Sequence, residues 1–308
     1  MPLPRVYAAL TANDLVTRLL QLSHEEDLGD VGDVTSLVCI DHRARGAADM
    51  VARAPGVIAG LAAAPQIVQL FAPHCTLTLR VKDGQRVRKG ATLATLRGPI
   101  REILAAERTL LNLVGRLSGV ATRTSEFVRT MHGGRTLDRS IGGSLFDTRK
   151  TTPGLRVLEK YAVRCGGGAC HRIGLHDAVL IKDNHIAGVN VHDLPAAIKR
   201  AAATARAVWP GRLRFIEVEV DTLEQFKALL TLPSGTIDIV LLDNMRPPLL
   251  RKAVALRDKL QPSLELEASG GITLKTVRKI AESGVDRLSV GSLTHGATSL
   301  DVALDMRS

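Results

Sequence analysis

The chain has 308 residues, 45% of them hydrophobic and 3% aromatic, with 41 Lys and Arg against 31 Asp and Glu for a formal charge of +10. That is length for one large domain or two ordinary ones, and enough apolar content for a packed core, which excludes a disordered chain. The charge admits a nucleic acid or a small polyanion as partner; the scarcity of aromatic stacking platforms and the lack of finger or helix-turn-helix spacing speak against the first, but composition alone does not choose between them.

The N-terminal stretch MPLPRVYAALTANDLVTRLL carries Asp14 and Arg18 where a signal peptide needs an unbroken apolar core. The most apolar run, GVIAGLAAAP, is too short to span a bilayer. A cytoplasmic protein without a membrane partner is the expectation. Cys39, Cys75, Cys165 and Cys170 are too few and too scattered for a disulfide framework or a zinc site, and read as reduced thiols. Next come AADMVARAPGVIAGL and LTLRVKDGQRVRKGATLATLRGP, short strands and turns with a hairpin signal at Asp83-Gly84. The second stretch has the outline of a lipoyl or biotinyl hammerhead but presents no suitable lysine at a hairpin tip. An antiparallel sheet in an α+β lobe is the better reading. Residues 100–131 read as one long helix with a stripe of Leu104, Leu111, Val114 and Leu117; Arg108 lies off the stripe and reads as a surface residue.

From SLFDTRK (144–150) onward a pattern repeats: an apolar run ending in polar residues, then a helical stretch. RTLDRSIGG, just ahead of it, is irregular. The later runs are AVLIKDNH, FIEVEVD, IDIVLLDN, LELEASGG and DRLSVGS, interleaved with TLEQFKALL, PPLLRKAVALRDKL and TLKTVRKIAESG. Thr222 and Thr273 offer N-caps, and Gly284 a helix stop. Strands alternating with single helices imply a parallel sheet, either an incomplete barrel or a doubly wound sheet. Asp147, Lys182, Glu219, Asp243, Ser269 and Gly291 all fall at the ends of runs, where barrel enzymes keep their chemistry, and this favours the barrel.

The chemistry-bearing stretches share that rim. FDTRKTTPGLRVLEKYAV, with the residue after it, groups Arg149, Lys150, Arg156, Lys160 and Arg164; GGGACHRIGLHDAVLIKDNH adds His171, Arg172, Lys182 and a glycine turn. Such cations read as a solvated loop or as an anion site. Glu219 and Asp243 end neighbouring strands, as caps or as a carboxylate pair suited to Mg²⁺ or sugar hydroxyls. Ser269, Gly270, Gly271, Gly291 and Ser292 precede helices and could cradle a phosphate. With no Ser-His-Asp or Cys-His arrangement, P-loop or GxGxxG motif, the inventory points to electrostatic catalysis on a phosphorylated, acidic substrate.

In EEDLGDVGDVTS, AERTLLNLVGRLSGVAT, the long block 147–185, and EVEVD, LLDN, SGG and VGSLTH in order, the chain resembles the quinolinate phosphoribosyltransferase family over nearly its whole length. Ala268, where several members carry a hydroxyl residue, is a departure. The resemblance implies an α/β fold: an N-terminal α+β open sandwich lobe, 1–115, joined by the tail 293–308, and an incomplete α/β barrel, 116–292. It implies transfer of phosphoribosyl from phosphoribosyl pyrophosphate to quinolinate with decarboxylation, with Mg²⁺ as cofactor. Arg149, His171, Arg172 and Lys182 would hold the two carboxylates, and Arg108 would do so from the partner subunit of a homodimer, against its surface reading. Lys150 would meet the pyrophosphate. Glu219 and Asp243 would bind the ribose hydroxyls and Mg²⁺, in part through water, and with Lys150 form the catalytic set. Thr148, Lys182, Ser269, Gly270, Gly271, Val290, Gly291 and Ser292 would complete the phosphoribosyl pyrophosphate site. The rivals are a phosphoribosyltransferase of the same fold that uses nicotinate, and a related protein linked to molybdenum transport; the four-cation set argues for a dicarboxylate.

Overall fold

The computed structural model describes residues 1–133 and 143–307; most of the irregular stretch (135–142) and Ser308 lie outside them. The chain forms two compact units, one of residues 1–125, 150–168 and 292–308, the other of residues 126–149 and 169–291. Among the described residues no helix is long and apolar enough to cross a membrane.

The first unit opens with helices α1 (Leu3–Leu10), α2 (Leu15–Leu28) and α3 (Val34–Cys39). The Asp33 side chain accepts the Ser36 amide and caps α3. Strands β1 (Arg45–Ala52) and β2 (Gly56–Val57), helix α4 (Ala64–Phe71), and strands β3 (Thr76–Leu79), β4 (Arg86–Val87) and β5 (Thr92–Pro99) follow. An antiparallel sheet runs C-terminal strand (Val302–Met306), β1, β5, β3. In β1 Ala48, Met50 and Ala52 are buried, the alternation of a strand with one face on a core. Asp83-Gly84 does form a turn, with Gly84 at φ 83°, but it is not a hairpin tip: β3 pairs with β5 and β4 with β2. The reason is the Asp83 carboxylate, which takes the Leu61 and Ala62 amides, each at 3.0 Å, and the Tyr161 hydroxyl at 2.9 Å.

The long helix is present as α5 (Ile100–Met131), of which residues 100–125 belong to the first unit. Ile103, Ala106, Leu110, Val114, Leu117 and Ala121 are buried at helical spacing, with Leu111 beside them; Leu104 is only half-buried. Gly119 lets the tail approach this helix, since a Cβ there would stand 2.1 Å from the Thr298 carbonyl oxygen. Helix α6 (Arg156–Cys165) also packs in this unit.

The second unit is a parallel sheet wrapped by helices: β6 (Ser144–Phe146), β7 (Val179–Ile181), α7 (Leu194–Val208), β8 (Ile216–Val220), α8 (Leu223–Leu229), β9 (Ile239–Asp243), α9 (Pro247–Leu260), β10 (Glu265–Ser269), α10 (Val277–Ala281) and β11 (Arg287–Ser289). The strand order is β6-β11-β10-β9-β8-β7, every pair parallel. Among the described residues no ladder joins β6 to β7, so the barrel is incomplete. Val218, Val240, Leu242, Leu266 and Leu288 are fully buried in these strands. Thr222 caps α8 in a reciprocal box with Gln225. Thr273 does not cap α10: the helix begins at Val277, and the Thr273 amide instead donates to Thr276 Oγ1 at 2.9 Å in the turn before it.

Candidate active site

In a parallel sheet of this kind all carboxyl ends open on one edge, and each strand of the second unit brings a polar residue there. Lys182 is the first residue beyond β7, and its Nζ meets the Glu219 carboxylate near the end of β8. Asp243 ends β9 in register with Ser269 at the end of β10. A depression of about 230 Å³ lies beside Glu219, with Asp183, Ile186, Asp221 and Gln225 among its lining residues.

Asn244, which the sequence reading passed over, ties two of these ends together. It sits at φ 52°, a left-handed conformation rare outside glycine. Its Nδ2 donates to Asp243 Oδ2 at 2.6 Å and its amide to the Ser269 carbonyl at 2.9 Å. Gly270, at φ 88°, makes room: a Cβ there would stand 2.1 Å from Asn244 Oδ1, whereas Gly271, at φ 60°, faces open space. The signal lay in the pairing of DN with SGG.

Arg172 is buried, and the stretch of chain around it explains how. Residues 170–174 form neither helix nor strand, yet His171 donates its amide to Asp147 Oδ1 at 2.8 Å, and Ile173 and Gly174 donate theirs to Asp177 at 2.8 and 2.9 Å. Burial lowers the Arg172 pKa, and the charge of Arg149 lowers it further, while Glu217, Asp177 and Glu219 pull the other way. Arg149, Arg172, Lys182 and Glu219 are thus one electrostatic cluster.

His171, expected among the carboxylate holders, turns its ring inward. Nε2 lies 3.0 Å from Glu217 Oε2 and 3.3 Å from Glu267 Oε1, and Nδ1 accepts the Arg172 amide at 2.8 Å. Burial by itself would lower the His171 pKa; hydrogen bonding and charge from Glu217 and Glu267 outweigh it and push it up to about 9. Burial and then the charge of Glu267 hold Glu217 above the usual carboxylate range. Burial works upward on Glu267 as well, but His171 and Arg287 hold it below that range. The cluster therefore keeps one proton more than a neutral ring and two carboxylates would, and since Nδ1 accepts the Arg172 amide, Nε2 carries the ring's proton and the additional one lies on the side of the two acids.

In the first unit, the basic run divides. Lys150 exposes its side chain, and its carbonyl accepts Thr294 Oγ1 at 2.6 Å. Glu159, fully buried, takes Arg116 NH2 at 2.7 Å and the Thr152 amide at 3.1 Å, and Arg116 also donates to the Thr294 and Ala297 carbonyls. Arg156 donates to Thr151 Oγ1 and Arg164 to the Gly168 carbonyl, while Lys160 is fully buried. Arg156, Lys160 and Arg164 are therefore built into the fold. Arg108 is exposed on α5.

Of the remaining expected residues, Thr148 is half-buried, and Gly291 is half-buried at the start of a short 3₁₀ turn (Gly291–Leu293). The Val290 side chain is buried and its amide donates to Phe146 O at 2.9 Å, so Val290 offers a phosphate neither group. The Ser292 carbonyl accepts Arg123 Nε at 2.6 Å, and its side chain is half-buried. For a divalent ion, Glu219 and Asp243 supply hard carboxylate oxygens on adjacent strands, a donor set that fits Mg²⁺ completed by water and phosphate oxygens.

Carboxylates, guanidinium groups and a glycine turn at the strand ends of a barrel mark the rim where enzymes of this architecture keep their chemistry. The family model for the quinolinate phosphoribosyl transferase N-terminal domain matches residues 33–118, and that for the C-terminal domain residues 120–305. The chain is 41% identical over 298 residues to a nicotinate-nucleotide pyrophosphorylase [carboxylating] of Mycobacterium leprae, covering 96% of this chain and 97% of that protein. It is 40% identical over 290 residues to a probable enzyme of the same name from Bacillus subtilis, covering 94% and 92%. The solved nicotinate-nucleotide pyrophosphorylase of Francisella tularensis superposes with a TM-score of 0.83 at 34% identity, covering 96% of each chain. The chain belongs to the quinolinate phosphoribosyltransferase family.

Proposed function

We propose that the chain transfers the phosphoribosyl group of phosphoribosyl pyrophosphate to quinolinate, releasing CO₂ and pyrophosphate and giving nicotinate mononucleotide for de novo NAD synthesis. The observation that carries this reading is the buried Arg172 beside Arg149, with Lys182 at the neighbouring edge. Two neighbouring guanidinium groups, one of them buried, offer paired N–H forks to anionic oxygens, and a dicarboxylate matches that geometry. The carboxylating activity in the names of the similar enzymes supports the same acceptor.

Arg149, Arg172 and Lys182 hold the two carboxylates, with His171 directly behind Arg172. The pyridine nitrogen attacks the ribose C1 while the bond from C1 to the pyrophosphate oxygen breaks and its electron pair leaves with pyrophosphate. C1 gains oxocarbenium character on the way, which the carboxylates of Glu219 and Asp243 offset. Lys150, next to Arg149 in the chain, stabilises the departing pyrophosphate, with Thr148 before it. Ser269, Gly270, Gly271, Gly291 and Ser292 receive the 5′-phosphate. Glu219 and Asp243 would hold Mg²⁺, directly or through water, and the ion when bound neutralises charge on the pyrophosphate. In the product of attack the ring nitrogen is quaternary and positive. It draws in the electron pair of the adjacent carbon–carboxylate bond as CO₂ departs, and a proton then takes that ring carbon.

Nicotinate has one carboxylate fewer and would leave part of the cation cluster unpaired. A homodimer in which the exposed Arg108 reaches the partner's site, and a cytoplasmic location, belong to the same reading. The test is to mix the purified chain with phosphoribosyl pyrophosphate, Mg²⁺ and either acid, and to follow nicotinate mononucleotide and CO₂. Product with CO₂ from quinolinate alone is the expected result. Product from nicotinate alone would overturn the assignment of the cluster.

A further inference from the structure

The segment 171–174 has no sheet or helix to bond its amides, so side chains do it. Asp147 takes the amide of His171, Asp177 those of Ile173 and Gly174, and Arg214 donates to the His171 carbonyl at 3.0 Å. The amide of Arg172 falls to His171 itself, whose Nδ1 accepts it at 2.8 Å. The far side of the ring is enclosed: Nε2 faces Glu217 and Glu267, both fully buried, and Arg287 Nε backs Glu267 at 2.7 Å while its guanidinium lies 3.9 Å from the centre of the Phe146 ring. The His171 side chain is 6% exposed.

One histidine and two carboxylates whose ligating atoms all lie within 4.8 Å of one another have the makings of a metal site. The Arg172 amide argues against it. A ring nitrogen that accepts an N–H carries no proton, so the proton of a neutral ring sits on Nε2, the atom a metal would need bare. Arg287 against Glu267 puts a cation beside the place an ion would take. The cluster is built to hold a proton on Nε2.

We propose that His171 is a positioning residue of the dicarboxylate site: Glu217 and Glu267 keep its proton on Nε2, Nδ1 stays an acceptor for the Arg172 amide, and the ring acts through Arg172 without touching the substrate. This rests on the acceptor proposed above. It differs from a direct role for the imidazole in what each replacement removes. Asparagine keeps an acceptor oxygen near the place of Nδ1, whereas glutamine reaches toward the two acids and leaves the Arg172 amide bare.

The experiment measures quinolinate KM and kcat for His171→Asn and His171→Gln, and reads the two ring nitrogens of His171 in the ¹⁵N spectrum of the backbone-assigned wild-type protein at neutral pH. His171→Gln should raise KM roughly tenfold, with a smaller change in kcat, and His171→Asn should recover most of that loss. The spectrum should place the proton on Nε2 and leave Nδ1 bare, a result that holds even where a variant fails to fold. Equal losses in both variants, or a proton on Nδ1 in protein that binds quinolinate normally, would overturn the positioning role alone. Wild-type protein that shows no heat of binding with quinolinate would overturn the proposed acceptor, and the clamp with it, whatever the spectrum reads.

Discussion

Arg172 illustrates how a charged side chain is kept buried without regular structure around it. The amides of His171 and Ile173 go to carboxylates and its own amide to an imidazole, while its charge is offset by Glu217 and Glu219 of β8 and by Asp177 and opposed by Arg149. Arg172→Ala should therefore leave the fold intact and lower kcat/KM for quinolinate by about 3 kcal/mol, roughly a hundredfold, because the dicarboxylate loses a desolvated partner. Steady-state kinetics with a circular-dichroism check on folding measures this. Gly270 sets a second case. Gly270→Ala must push Asn244 aside from a contact of 2.1 Å and hold alanine at φ 88°, at a cost of about 1–3 kcal/mol in stability. Asp243 loses its Asn244 hydrogen bond in the same movement, so KM for phosphoribosyl pyrophosphate should rise together with the drop in denaturation midpoint. Asn244 was legible only through the pairing of DN with SGG, and the glutamates behind His171 were not legible at all. IEVEV and LELEAS read as strands with one polar face, and only a barrel interior supplied by His171 and Arg287, from distant parts of the chain, makes those acids buried.

Among the elements, the strands were the most legible, because an apolar run closed by a polar residue is what a parallel barrel strand must look like. All five later runs, and SLFDTRK before them, contain the strands that the sheet uses. Helix starts and turn roles were less legible, since they depend on which partner a polar side chain finds. Asp83 abandoned the hairpin for the amides of Leu61 and Ala62, and Thr273 yielded the start of α10 to a turn. The same dependence holds the loop that carries Lys150. Glu159 on α6 binds Arg116 of α5 and Thr152 of the loop, and Arg116 fastens the residues after Ser292. Replacing Glu159 by Gln strips the charge that compensates Arg116 and should cost about 3 kcal/mol of stability. Urea unfolding checks that figure, and a higher KM for phosphoribosyl pyrophosphate is the expected companion.

At the scale of the whole molecule, the chain passes between its two units at residues 125, 149, 168 and 291, so neither unit is a simple half of the sequence. The buried proton of the His171 cluster gives the molecule a pH signature. A group whose pKa is raised on folding from 6.5 to about 9 contributes its full stability below pH 6.5 and loses it as the pH climbs through about 9. Denaturation midpoints measured across that window should fall as the pH rises, and His171→Asn should flatten the slope. A flat wild-type profile would count against a shared interior proton.

The strand Val302–Met306 lies at the edge of the first sheet, against β1, and follows the whole of the second unit in the chain. A ribosome delivers all of residues 169–291 before it delivers that strand, so the barrel can be finished while the earlier-made unit still waits for the strand that covers β1. Synthesis that halts between residue 291 and that strand would release a chain with a sound barrel and a bare β1 edge, the kind of edge that recruits other strands. For this fold, the sticky product of interrupted translation is the part that was started first.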